Sequence, residues 1–218
     1  MDSLINQAPR FIIDLMILVF SITIHEVAHG WVALKEGDPT AQQANRLTLN
    51  PIHHIDPFMS IIMPLVFYMS AGFVFGGAKP VPVNPYNFRD LRKSDLKVSA
   101  AGPGSNLVLA IIGALIIRII FFTLPLSFFS TPLWEAMKHF LTAFVSINLV
   151  LLFFNLLPIP PLDGSKILIN LLPPKYEQGF RQFETYGMMI LIVLLFTGVL
   201  GYTLFPMINF FFRLLIGI

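Results

Sequence analysis

The chain of 218 residues contains no cysteine. Disulfides are thereby excluded, and any metal site has to be built from nitrogen and oxygen donors. Charge is scarce as well: Asp, Glu, Lys and Arg make up 12% of the residues, and the formal net charge is +2. That balance provides no extended basic surface and argues against nucleic acid as a partner. The basic residues that are present gather in short loops, the pattern expected of membrane topology. An internal repeat is also missing, and with it the paired inverted halves common in transporters.

Apolar residues fill the space that charge leaves. They account for 56% of the chain, and the mean hydropathy is +0.76, well outside the balance of a soluble domain. The expected fold class is an all-α multi-pass integral membrane protein in contact with the lipid bilayer. A bilayer core of about 30 Å requires roughly 20 helical residues, and five stretches qualify as candidates: Phe11 to Leu34, Phe58 to Phe75, Val98 to Phe122, Met137 to Leu157, and Gly187 to Ile216. Gly198, Gly201 and Pro206 interrupt the last. The apolar run at the N-terminus follows a leader with little positive charge, and is read as a retained span rather than a signal peptide.

Lysine and arginine set the orientation. Lys79, Arg89, Arg92, Lys93 and Lys97 lie between Gly76 and Lys97, whereas Thr123 to Glu135 has no basic residue. The first loop is expected to be cytoplasmic and the second external, with an external N-terminus. Counting then produces a conflict, because a full crossing by Phe58 to Phe75 would place Lys35 and Arg46 outside. Pro64 and Gly72 suggest instead a re-entrant element. "GGAKPVPVNP" fits such an element, since its alternating prolines prevent helix.

The chemistry is concentrated in "SITIHEVAHGWV". His25 and His29, four residues apart, share one helix face about 6 Å apart along the axis, which suits two imidazoles on one zinc ion. Glu26 is rotated by about 100°, near enough to take a proton from a water at the ion without binding it. The pattern is HExxH, which by itself also occurs by chance. Within an apolar span, however, each ionisable group costs roughly 2.5 kcal/mol or more, and an unpartnered trio offers nothing to offset that. Catalytic zinc usually takes three protein ligands. Asp163, in "NLLPIPPLDGSKIL", reads locally either as a third ligand or as the N-cap of a following helix. His53, His54, His139, Glu135 and Glu177 are the remaining candidates. Asp14, 11 residues before His25, returns to within about 20° of the same face, where it meets either a polar cavity or the external interface.

Four motifs, "HEVAHG", "NPIHHIDP", "AGPGSN" and "NLLPIPPLDG", occur in that order from His25 to Gly164. In them the chain resembles the site-2 protease family of intramembrane zinc metalloproteases, in its short form without a PDZ or CBS insertion. The resemblance implies that His25, His29 and Asp163 bind one zinc ion and that Glu26 activates water. It implies a catalytic core of three helices carrying the histidine, GPxxN and DG motifs, with a small re-entrant or β-like loop after the first, and accessory helices beyond. One domain is expected over 1–218, with the core motif region at 11–172 and C-terminal accessory helices at 187–217. Asn155 corresponds to the family's motif asparagine. It is read either as a catalytic donor to a bound carbonyl or oxyanion or as a partner for backbone groups freed by Pro158, Pro160 and Pro161. Asn106 reads as a bond between helices, and His54 and Asp56 as loop structure.

The implied function is hydrolysis of a peptide bond within or near a transmembrane segment of a membrane protein, in a membrane that the minimal architecture points to as prokaryotic. The alternative is a divalent-metal or proton transporter with the His, Glu and Asp cluster as its transit site; it would use Glu26 as ligand or proton carrier. Both readings are compatible with a regulatory membrane partner or a homo-oligomer.

Overall fold

The structure, a computed structural model, describes residues 2–71, 74 and 76–217. Its helices are α1 (Asp2–Lys35), the single turn α2 (Thr40–Gln43), α3 (Met63–Ala71), α4 (Leu91–Thr123), α5 (Pro132–Asn155), α6 (Asp163–Leu171), α7 (Glu177–Phe196) and α8 (Val199–Ile216). A π-helical turn, Pro57–Ile62, leads into α3. Among the described residues there is no strand. Among the described residues, four helices are long and apolar enough to cross a bilayer: α1 over Ala8–Lys35, α4, α5 and α8. A bent pair, Pro174–Phe180 and Gln182–Phe196, makes a fifth if counted as one span.

Capping chemistry explains where the helices depart from their expected ends. Asp90 accepts a bond from Lys93 N, so α4 starts seven residues before the expected Val98 (98 − 91), with two polar turns outside its apolar stretch. Thr131 accepts from Trp134 N and Pro132 occupies the first helical position, so α5 starts five residues before Met137 (137 − 132). Of the three interruptions expected near the C-terminus, only Gly198 breaks the helix, at φ 74°. Gly201 and Pro206 remain inside α8, since neighbouring helices can meet the backbone groups a proline frees. Of the expected span Phe58 to Phe75, residues 72, 73 and 75 lie outside the described residues. The rest is the π-helical turn, the nine residues of α3 and Val74 outside both.

The segment 36–90 returns to the face it leaves. Glu36, just past α1, accepts bonds from Ser94 Oγ at 2.7 Å and Lys97 Nζ at 2.8 Å, both near the start of α4. Arg89 N donates to Glu36 O as well. The end of α1 and the start of α4 are therefore tied side by side, and α3, about 14 Å long, is too short to cross a bilayer core of about 30 Å. That removes the counting conflict.

Inside lipid, helices associate through packing and interhelical bonds more than through hydrophobic drive, and small residues permit close approach. The buried face of α4 follows this rule, with Gly102, Asn106, Ala110, Gly113, Ala114 and Ile117 along one stripe. Leu141, Val145, Leu149 and Leu152 of α5 pack against it, with Leu200, Leu204 and Ile208 of α8 completing the cluster. At the centre of α1, α4 and α5 the buried residues become polar: Ser21, Asn106 and Asn148 are each fully enclosed.

Candidate metal centre

His25 and His29 project from α1 toward α4 and α6, and the backbone of α4 is bare where they meet it. A Cβ on Gly102 would run into Nε2 of both histidines, so only glycine fits there. Asp163 is the first residue of α6, and the cap position before it is Leu162, which has no side-chain cap bond. The carboxylate is therefore not used as an N-cap. It lies in the first helical turn, where the helix dipole favours an anion, and faces the two imidazoles.

Three donor atoms converge. His29 Nε2 is 3.0 Å from His25 Nε2, and Asp163 Oδ2 is 3.1 Å and 3.2 Å from His25 and His29 Nε2 respectively. None of the three side chains is more than 14% exposed. The outer ring nitrogens fix the tautomers. His29 Nδ1 lies 2.7 Å from Val98 O, a carbonyl that can only accept. His25 Nδ1 lies 2.6 Å from Asn106 Oδ1, and Asn106 is oriented because its Nδ2 donates to Asn148 Oδ1. Both rings thus carry hydrogen on Nδ1, and in their neutral form aim Nε2 lone pairs at one another and at a carboxylate. That arrangement is repulsive until a cation lies between them. Tetrahedral zinc with bonds of about 2.1 Å holds its donors about 3.4 Å apart, close to what is found. Two imidazoles and a carboxylate, each ring backed by an acceptor, fit zinc in donor chemistry and in outer support.

Glu26 lines the same cavity without joining the three donors. Its Oε2 accepts a bond from Val81 N at 2.8 Å. The cavity, about 330 Å³, includes His25, His29, Asp163, Asn155 and Lys166. An apolar cavity of about 280 Å³ shares His25, Glu26 and Asn155 with it and is walled by Met59, Met63, Met188, Leu191 and Leu195. On the basic face, Asp95 and Lys166 also belong to a polar cleft of about 400 Å³ that includes Arg92 and Glu184. The donor cluster thus stands between an apolar compartment and a polar one.

The other candidates separate into those that face the cluster and those that do not. Asn155 lines both cavities next to it, with one amide hydrogen donated to Leu151 O of its own helix. Asn106 bonds between helices as expected and in addition orients His25. His54 is 1% exposed, its Nε2 lies 2.9 Å from Thr48 O, and burial lowers its pKa. Asp56 caps the π-helical turn through Phe58 N and Met59 N. Asp14 stands about 16 Å from His25 along α1, where it pairs with His139 at 3.1 Å. Sequence reasoning missed Asn148, whose Nδ2 reaches Ser21 Oγ and Phe144 O. An amide in an apolar span was a usable signal. It also missed the Val81 amide, for which side chains give no signal.

A family model described as Peptidase family M50 matches residues 13–198. Relatives of the chain carry names of the form "Putative zinc metalloprotease". YwhC of Bacillus subtilis (strain 168) is 44% identical over 194 residues, covering 88% of this chain and 84% of that protein. Rip2 of Mycolicibacterium smegmatis is 30% identical, covering 93% and 73%. MJ0611 of Methanocaldococcus jannaschii is 33% identical, covering 72% and 70%. No solved structure matches the chain.

Proposed function

The chain belongs to peptidase family M50 and is an intramembrane zinc metalloprotease; we propose that His25, His29 and Asp163 hold its zinc and that Glu26 is the general base. The observation that carries this assignment is the convergence of His25 Nε2, His29 Nε2 and Asp163 Oδ2, with both Nδ1 atoms already engaged. We take 1–218 as one domain, built on α1, α4 and the α5–α6 turn, with α7 and α8 as accessory helices.

Bound zinc supplies a Lewis acid that brings the pKa of water toward about 7 and polarises the scissile carbonyl. Glu26 takes the proton of the attacking water and later delivers it to the leaving amine. Asn155, with one amide hydrogen still free of its helix bond, donates to the oxygen on which negative charge develops. Asn106 and Val98 keep the histidine rings in the tautomer that leaves Nε2 open. Water reaches the site through the polar cleft, and the substrate occupies the apolar cavity. The substrate is a transmembrane segment whose amides are locked in helix, so it unwinds before attack. The non-helical run 76–84, whose Gly77, Lys79, Val81 and Asn84 amides are already bonded, offers its remaining backbone carbonyls as acceptors to the unwound segment. The basic face is cytoplasmic on this reading, and a prokaryotic plasma membrane suits both the minimal architecture and relatives from bacteria and an archaeon. The transporter alternative needs Glu26 as a ligand or carrier, and nothing favours it: Glu26 bonds a backbone amide outside the donor cluster.

Zinc content tests the ligand set. Purified Asp163→Ala loses most of its zinc by elemental analysis, whereas His54→Ala keeps the wild-type content. Equal loss in both variants would remove Asp163 from the set.

A further inference from the structure

The non-helical run 76–84 meets α1 through the Val81 amide. Val81 N donates to Glu26 Oε2 at 2.8 Å, and its neighbours in the run pin the register. Lys79 N donates to His54 O at 2.8 Å, Lys79 O accepts from Arg46 Nη2, and Asn84 N donates to Asp38 Oδ2 at 2.7 Å. Pro80 and Pro82 flank Val81 and carry no N–H. A slip of one residue in either direction would therefore present Glu26 with a proline and no donor. The Val81 side chain is seated as firmly. It is 7% exposed and packs against Gly30, where an added Cβ would lie 2.9 Å from Val81 Cγ1 and 2.6 Å from Leu47 Cδ2. The final glycine of "HEVAHG" is thus the socket that admits Val81.

We propose that the Val81 amide is the positioning donor for Glu26, and that Gly30 is glycine so that this amide can reach it. The inference rests on Glu26 being the general base. A free glutamate samples many rotamers. A charge-assisted bond to Oε2 selects one and leaves Oε1 as the acceptor on the cavity shared with His25, His29 and Asp163. Proline on either side keeps the donor at a single register, and the carboxylate is aimed before substrate arrives.

Val81→Pro deletes the N–H in a run that already tolerates proline, whereas Val81→Ala keeps the N–H and trims the side chain. In Val81→Pro, kcat is expected to fall about ten- to hundredfold, with KM and zinc content near wild type. Val81→Ala, which keeps the donor but loses the seated side chain, is expected to lose clearly less kcat than Val81→Pro, and Gly30→Ala behaves like Val81→Pro. Amide hydrogen exchange gives a readout independent of turnover: in Glu26→Ala, the Val81 amide exchanges about tenfold faster or more, while the Lys79 amide is unchanged. Four results would overturn the proposal: wild-type kcat in Val81→Pro, equal losses in Val81→Pro and Val81→Ala, a loss of kcat matched by loss of zinc, or Val81 exchange indifferent to Glu26→Ala. Glu26→Gln, assayed in parallel, separates the two levels. Wild-type cleavage by that variant would remove the general-base assignment itself, whereas an inactive Glu26→Gln beside a fully active Val81→Pro would remove only the positioning role.

Discussion

Replacing Asn106 by leucine, a side chain of similar volume, removes the acceptor that keeps the hydrogen of His25 on Nδ1. The imidazole is then free to turn, and Asn148 Oδ1 loses its donor. Outer partners of metal ligands are typically worth 10- to 100-fold in affinity, so zinc affinity, measured by competition with a chelator, is expected to fall by about that factor, with the helical fold retained. Unchanged affinity would show that His25 needs no orienting partner. At this scale the sequence was informative where spacing carries the chemistry. His25, Glu26 and His29 follow from a single helical turn. Asp163 was ambiguous, because an aspartate after prolines caps helices as readily as it binds metal, and the structure removes only the capping reading, by placing Leu162 at the cap. Asn106 was legible as a bond between helices but not as the partner of His25, since the 81 residues separating them carry no record of distance. Val81 was illegible, because its contribution comes from the backbone.

The elements are joined at the basic face by carboxylates. Asp38 is fully buried between the end of α1 and the turn at 85–87. Burial by itself would raise its pKa, but bonds from the Thr40 hydroxyl and amide, the Asn87 side chain and the Asn84 amide outweigh that and hold the carboxyl below the usual range. A depressed folded pKa means that the unfolded chain binds the proton more readily on acidification. The stabilisation is therefore fully present above the unfolded value of about 3.9 and is lost as pH falls through the lower folded pKa. Thermal unfolding in detergent is expected to show stability dropping below about pH 4, with the drop reduced in Asp38→Asn. That variant is also less stable at neutral pH by about 1–3 kcal/mol, since an amide cannot accept all of these bonds. An identical acid limb in both proteins would place the effect elsewhere. Among the elements, the break at Gly198 was foreshadowed by composition, together with two interruptions that do not occur. Gly198 takes a left-handed conformation, whereas Pro206 is absorbed into α8 by its neighbours.

For the whole molecule, apolar length located α1, α4 and α5 but read α7 and α8 as parts of one interrupted span from Gly187 to Ile216, and the re-entrant segment was readable from the conflict between basic loops and crossing count. The packing of α8 along α4 and α5 was not readable, because a lipid-facing helix and a protein-facing one differ little in composition. Lack of cysteine makes the topology directly testable. Ile52, Tyr86 and Leu126 are 75%, 91% and 89% exposed, and each can be made the sole cysteine. An impermeant thiol reagent is expected to label Ile52→Cys and Tyr86→Cys from one side of a sealed vesicle and Leu126→Cys from the other. Labelling of Ile52→Cys from the Leu126 side would mean that the segment before α4 crosses the membrane. The catalytic assignment depends on a smaller change, one oxygen of Glu26 exchanged for nitrogen. The most direct measurement is the rate at which zinc-loaded Glu26→Gln, purified and reconstituted in lipid, cleaves a transmembrane substrate. The account predicts wild-type zinc content and a rate lower by about 10²- to 10⁴-fold; cleavage at the wild-type rate would contradict it.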